Sequence, residues 1–193
     1  MNDIAGYDYG SSRVGRSPVT REELRAIEET VGWSHEDEAA LRRASEVLRD
    51  QAEALVDDWR GVIAQQPHLV KWFHGPDGKP DDHYRASVKK RFVQWVIDAC
   101  TRPHDQAWLD YQEEIGLRHT PAKNRTDGTQ TPDHVPLRYV LAFIVPTILK
   151  AKPCLAAKGD AADMVEKMHR AWMKSAVLHI TLWSRPYVRG GLW

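Results

Sequence analysis

Residues 98–119 read DACTRPHDQAWLDYQEEIGLRH, and the organisation of the whole chain follows from them. Pro103 must break the helix that enters from the left, because it supplies no backbone donor and excludes helical geometry just before it. A second helix then runs from Asp105 to His119, with Ala107, Trp108, Tyr111, Ile115 and Leu117 as its apolar content. Thr120-Pro121 ends it, so His119 stands at a helix terminus where a loop begins.

Upstream, Asp81 or Asp82 caps a helix running to about Cys100, with Tyr84, Val88, Phe92, Trp95, Val96 and Ala99 on one face. The stretch Gly75-Pro76-Asp77-Gly78-Lys79-Pro80 before it is the clearest loop in the chain. Pro67 starts a short helix carrying Leu69, Trp72 and Phe73. From Ser34 to Gln66 apolar residues recur at helical spacing, and a run that long predicts two helices with a bend near Glu46 to Arg49. Thr20 and Glu23 have capping-box spacing and open a first helix over 21–30, ended by Gly32. Met1 to Val19 has no lasting period. It reads as an irregular extension, and two versions stay open: a disordered tail, or a segment that packs onto the body through Tyr7 and Tyr9.

Downstream, Pro121 to Pro132 is a polar loop. Thr131 and Pro132 are expected to open a helix reaching about Ala157, kinked at Pro146. Gly159 stops it, and Asp160 with Asp163 opens a last helix through Met164, Met168, Trp172, Ala176, Ile180 and Trp183. These last two long helices are more apolar around their circumference than a surface pair needs, which favours a homodimer sharing a four-helix contact. No segment alternates with period two. The expectation is an all-α domain over 20–193 preceded by an extension over 1–19.

The 193 residues carry 27 Lys plus Arg and 27 Asp plus Glu, so capture of nucleic acid would need a local basic patch. The densest basic run, Lys89-Lys90-Arg91, reads as a solvated helix face. The longest apolar stretch, Tyr139 to Leu149, is too short to span a membrane, and the first residues lack the pattern of a secretory signal. The expected location is the cytoplasm. Cys100 and Cys154 have no knuckle or redox spacing. There is no phosphate loop, nucleophile elbow or zincin motif. Glu166 and His169 have di-metal spacing, but no second copy accompanies them. Among the histidines, His35, His74, His104 and His134 sit near turns and read as solvated, and His179 reads as a core histidine with one hydrogen bond. His119 has two readings: a cation at the negative end of a helix, or an axial ligand with an apolar helix behind it.

The sequence resembles the protoglobins, the single-domain relatives of globin-coupled sensors. The likeness runs from Gly6-Tyr7-Asp8-Tyr9-Gly10 to Trp183-Ser184-Arg185-Pro186-Tyr187, and is strongest over 98–119 and over 136–146, PLRYVLAFIVP. It implies a globin-like helical sandwich enlarged by an N-terminal extension and an extra first helix, a homodimer built on the last two long helices, haem b, and reversible binding of O2, CO and NO. It places the proximal ligand at His119, the distal phenylalanine at Phe92, Val88 where other globins have a distal histidine, and the distal tryptophan at Trp59. Phe73 and Phe143 join the apolar wall. Tyr7 and Tyr9 cover the haem edge, and Arg91 faces either a propionate or the surface. The chain departs from the family at Arg60, where protoglobins tend to carry a tyrosine able to donate to bound O2. Arg60 either points inward to ligand or propionate, or reaches outward and leaves Trp59 as the nearest polar group. Two other functions stay open beside gas carriage, scavenging or sensing: a haem enzyme of NO-dioxygenase, peroxidase-like or nitrite chemistry, and a haem-free helical interaction module.

Overall fold

The computed structural model describes residues 4–188 and 190–193. Residues 1–3 of the expected extension lie outside them. Among the described residues there are ten α-helices and no strand; one isolated bridge, His74 to Pro80, closes the Gly/Pro loop.

Helix α1 (Arg21–Thr30) is opened by the expected box. Thr20 Oγ1 accepts from the Glu23 amide at 3.1 Å, and the Glu23 carboxylate accepts from the Thr20 amide at 2.7 Å. Asp37 plays the same part for Ser34 at the start of α2 (His35–Leu48). The break before α3 (Ala52–Ala64) falls slightly later than the apolar pattern suggests. Gln51 stabilises it there, donating from Nε2 to the carbonyls of Val47 and Cys154, both at 3.0 Å. A short α4 (Pro67–Val70) continues into a 3-10 turn at Lys71–Phe73. Asp81 caps α5 (Asp82–Thr101) through the Tyr84 amide, and Asp105 caps α6 (Gln106–Leu117) through the Trp108 amide.

The helix expected from Pro132 is different. Residues 131–136 are irregular, because Val135 precedes Pro136 and is driven out of helical geometry; its amide donates to the His119 carbonyl instead, at 2.8 Å. Helix then begins at Leu137 and comes in three pieces: α7 (Leu137–Ala142), α8 (Ile144–Leu149) and α9 (Ala151–Leu155). The interruptions lie three residues before Pro146 and three before Pro153. Each proline removes the donor for the carbonyl four residues back, at Ala142 and Leu149, so the ladder yields there.

Helix α10 (Ala162–Ser184) starts after Ala161, not at an aspartate cap. Asp160 is drawn away by a bidentate pair with Arg43 of α2, at 2.9 Å for both bonds. Gly159 takes the left-handed conformation (φ 75°) that reverses the chain. α10 is the central post. It buries Met168, Ala171, Trp172, Ala176, Leu178 and Leu182 against α2, α5, α6 and the α7–α9 run. α3 packs on α5 from the other side.

The described part of the extension packs. Ser17 and Val19 are buried, and Val19 joins Leu24, Trp108, Leu109 and Leu182 in a second apolar cluster. The Ser17 amide donates to Asp110 at 2.8 Å. The Lys89–Arg91 run is not a free basic face: Lys89 pairs with Glu53 and Asp57 of α3 at 2.8 Å each, and only Lys90 is exposed. No helix among the described residues is long and apolar enough to cross a membrane.

Candidate functional site

Between α5, α6, the α7–α8 run and the end of α10 lies a cavity of about 270 Å³. Its wall is mostly apolar, with Val88, Phe92, Ile115, Val140, Phe143 and Ile180 among the residues that form it. Left unfilled, such a volume would cost about 6 kcal/mol at the ~24 cal/mol per Å³ measured for core cavities. That figure is an upper bound, because the cavity opens to solvent at one side; the apolar wall suits an apolar occupant.

His119 is the one histidine on this wall among the described residues. Its Nδ1 lies 2.8 Å from the carbonyl oxygen of Ile115. A carbonyl only accepts, so the proton sits on Nδ1 and Nε2 keeps its lone pair. Burial holds the imidazole below the usual histidine range, against the opposing pull of that hydrogen bond, and the charges of Lys123 and Arg118 push the same way as burial. The ring is therefore a neutral nitrogen donor, the form that binds iron. It stacks on Trp183 at 5.8 Å, nearly parallel. The His119 carbonyl is clamped as well, lying 2.7 Å from the Tyr187 hydroxyl and accepting from the Val135 amide.

Phe92, Val88, Phe73 and Phe143 all line the cavity. Trp59 does not. It is wholly buried one layer back, 5.1 Å from the Phe92 ring and stacked on Trp172 at 6.2 Å, and its indole N–H meets no acceptor among the described residues. It supports Phe92 and offers the cavity no polar atom. Tyr7 lines the cavity and donates to Asp98 at 2.5 Å, whereas Tyr9 sits outside the wall, edge-on to Tyr111 and under the Arg102 guanidinium.

The charged part of the wall is mostly cationic: Arg60, Arg85, Arg91, Arg118 and Lys123 against Asp127 alone among the described residues. Three of these cations are already committed. Arg91 makes a bidentate pair with Asp127 (2.9 and 2.6 Å) and donates to the Ala5 carbonyl, so it acts as a clamp between α5, the extension and the loop after α6. Arg118 bonds Glu114, Asp8 and the Gly6 carbonyl. Lys123 is buried with its ammonium donating to Trp72 and Pro132 carbonyls and to Thr131. Burial pulls its pKa down to about 8. Arg60 and Arg85 are held only loosely, each by an aspartate three residues earlier on its own helix, at 3.5 and 3.2 Å. These two are free to meet an anion at the mouth.

Sequence reasoning missed Trp183, Tyr187, Arg85, Arg118 and Lys123. It also misplaced His104, which is not solvated. His104 donates to Glu28 at 2.6 Å and stacks between Trp33 and Trp108. His179 is the core histidine expected, its Nδ1 donating to the Ser175 carbonyl at 2.7 Å. Glu166 and His169 form no metal site; Glu166 pairs with Lys152, and His169 donates to the Ile148 carbonyl. No cluster of three metal-ligating acids, histidines or cysteines exists among the described residues. Cys100 and Cys154 are free thiols.

A neutral imidazole over an apolar slot with two uncommitted guanidinium groups at its rim fits an iron porphyrin, whose faces are apolar and whose edge carries carboxylates. Comparison with known proteins bears on this directly. The Protoglobin family profile matches residues 20–193. The globin domain of a Geobacter sulfurreducens globin-coupled sensor superposes with a TM-score of 0.67 at 13% identity, covering 86% of this chain and 97% of that one. The globin domain of the E. coli DosC, in its ferric form I, does so with a TM-score of 0.61 at 13% identity, covering 85% and 97%. At that identity these two likenesses establish the fold. No curated protein matches the sequence.

Proposed function

The chain belongs to the protoglobin family, a membership that implies a haem cofactor, and from that premise we propose that it holds haem b through His119 and reversibly binds O2, CO and NO as a carrier, scavenger or sensor. The observation that carries this reading is the Nδ1 bond of His119 to Ile115, which leaves a neutral Nε2 as the one imidazole donor on an apolar cavity wall.

Haem, when bound, would supply an iron able to take up a diatomic gas; the residues of this chain would hold it and shape its surroundings. His119 orients the ring plane, fixed by Ile115 on one edge and Trp183 on its face. Phe92 and Val88 line the same cavity and would exclude water from a bound haem. Arg60 and Arg85 would be placed to pair with the propionates, since a guanidinium matches a carboxylate with two parallel bonds. The extension closes the remaining edge through Tyr7, held by Asp98 and Arg102.

Two copies associate through the α7–α8 run and α10. Leu141, Val145 and Leu149 recur every fourth residue and are 43%, 54% and 62% exposed, with Met173 of α10 exposed as well. An apolar stripe of this kind is what a second copy covers.

The absorption spectrum of the purified protein tests the cofactor reading. Ferric protein with a Soret band that shifts on reduction and again under CO supports it. Protein that stays colourless after haem is supplied during expression ends it and leaves the helical interaction module standing.

A further inference from the structure

Beyond Trp183 and Trp59, the gas-binding account leaves the tryptophans unused. From the cavity wall at His119 to Trp33, aromatic rings follow one another. His119 stacks on Trp183 at 5.8 Å; Trp183 meets His179 at 5.8 Å; His179 meets Trp108 at 5.3 Å; Trp108 meets His104 at 4.1 Å; and His104 meets Trp33 at 4.8 Å. This run ends in a second cavity of about 240 Å³, separate from the first, whose wall includes Trp33, His104, Glu38, Arg42, Cys100 and Arg102.

Resting on the haem reading above, we infer that Trp183, Trp108 and Trp33 form a relay that moves single electrons from a small phenol-class donor in the second cavity to the haem cavity when hydrogen peroxide has oxidised the haem. Indoles are among the most easily oxidised side chains, and His179 and His104 are the packed matter that couples one indole to the next. Hydrogen peroxide takes up two electrons and two protons and becomes two waters. Two phenol molecules each give one electron to Trp33 and one proton to His104, and leave as phenoxyl radicals.

Three features of the path fit this use. The second cavity is lined by Trp33, and the Arg42 guanidinium on its wall favours a phenol that is losing its proton; Arg102, also on that wall, is held by Asp98 and Tyr7. His104 is neutral, since burial holds it below the usual range, and its Nδ1 donates to Glu28, so its other nitrogen is a base beside the donor. Glu28, itself partly exposed, leads the proton on toward water. The branch from Trp183 to Trp95 (5.5 Å) and on to Trp59 ends at a wholly buried ring, and neither ring lines the second cavity. Among the described residues the first cavity has no second histidine beside His119.

The test is site-resolved oxidation. Haem-loaded protein, checked first by its Soret band, is treated with hydrogen peroxide with and without guaiacol, digested, and its tryptophan oxidation products mapped by mass spectrometry. The relay predicts oxidation at Trp33 in the unmodified chain and its suppression by guaiacol. It predicts loss of Trp33 oxidation in W108F, with products accumulating at Trp183 instead, and loss of saturable guaiacol turnover in W33F, a half-buried position whose change leaves the core intact. If W108F does not fold, W183F interrupts the run at its first ring and makes the same prediction for Trp33. Trp33 left intact in the unmodified chain, or oxidised equally in W108F and W183F, overturns the relay while the Soret band still supports the haem reading. A preparation with no Soret band fails one step earlier and takes both down.

Discussion

His119 donates from Nδ1 to the carbonyl oxygen of Ile115, 2.8 Å away and one turn back along α6, while its ring lies flat on Trp183 at the end of α10. Edge and face are thus fixed by two different helices. Removing the face contact in W183A leaves the ring free to turn. Changes to the partners that orient a metal-binding histidine typically weaken metal binding about 10- to 100-fold. Haem transfer from W183A to an apo-globin acceptor is expected to be faster by that range, and W183F is expected to restore most of it. Equal transfer rates in all three proteins would show that the stacking does not orient the ring.

Arg60 stands on the cavity wall where a family tyrosine is expected, its side chain 26% exposed and tied only to Asp57. With Trp59 withdrawn behind Phe92, this wall has no neutral hydrogen-bond donor at that position. R60Y supplies one, worth about 1 kcal/mol, and should slow O2 dissociation roughly fivefold while changing CO dissociation less. Flash photolysis or stopped-flow displacement reads both rates, and an unchanged O2 rate would show that a side chain at position 60 does not reach the bound gas.

Gly6 has φ 73°, and a Cβ there would lie 2.6 Å from Thr126 Cγ2 and 2.7 Å from Arg91 Nη1. Thr126 belongs to the loop after α6, so G6A combines left-handed strain with a clash against the clamp that joins extension, loop and α5. The cost is about 1–3 kcal/mol, and each kcal/mol lowers the melting temperature of a domain this size by about 2–4 °C. Hydrogen exchange in G6A should quicken in the extension and around residues 121–128. Protection there equal to that of the unmodified chain would show that the clamp is not closed by this contact.

His179 is sealed among Trp95, Trp108 and Trp183, and burial holds it down to about 3. Its folded pKa lies below its unfolded value of about 6.5, so the unfolded chain binds the proton first as pH falls. Stability from this group is therefore intact above about pH 6.5 and is lost progressively below it, by about 3 kcal/mol at pH 4.5. H179F keeps a ring in the box and removes the titration, so urea midpoints of H179F should fall less between pH 6.5 and 4.5 than those of the unmodified chain. Parallel losses would place the acid sensitivity in other groups, His104 first, since burial depresses it in the same direction.

The residues legible from sequence are those whose role is set locally. The Thr20–Glu23 box, the Asp105–His119 helix and the apolar face of α5 follow from spacing alone, and His119 is conspicuous because a helix ends on it. What sequence could not supply is set by residues distant in the chain. Trp183 reaches His119 only through the packing of α10 on α6, and Arg118 gains its role from Asp8 and Gly6, more than a hundred positions away. His104 looked solvated because it sits beside a turn; Glu28, Trp33 and Trp108 close over it from other elements. The broken α7–α9 run was half legible. Pro146 announced one kink, but Pro153 and the pull of Pro136 on Val135 needed equal weight.

Haem titration of H119A, followed by its Soret band with and without free imidazole, bears most directly on the central claim. The account predicts that H119A fails to form the spectrum of the unmodified protein and its CO shift, and that free imidazole, entering the space left by the side chain, restores both. An H119A protein that takes up haem and gives the unmodified Soret and CO spectra without imidazole would contradict it.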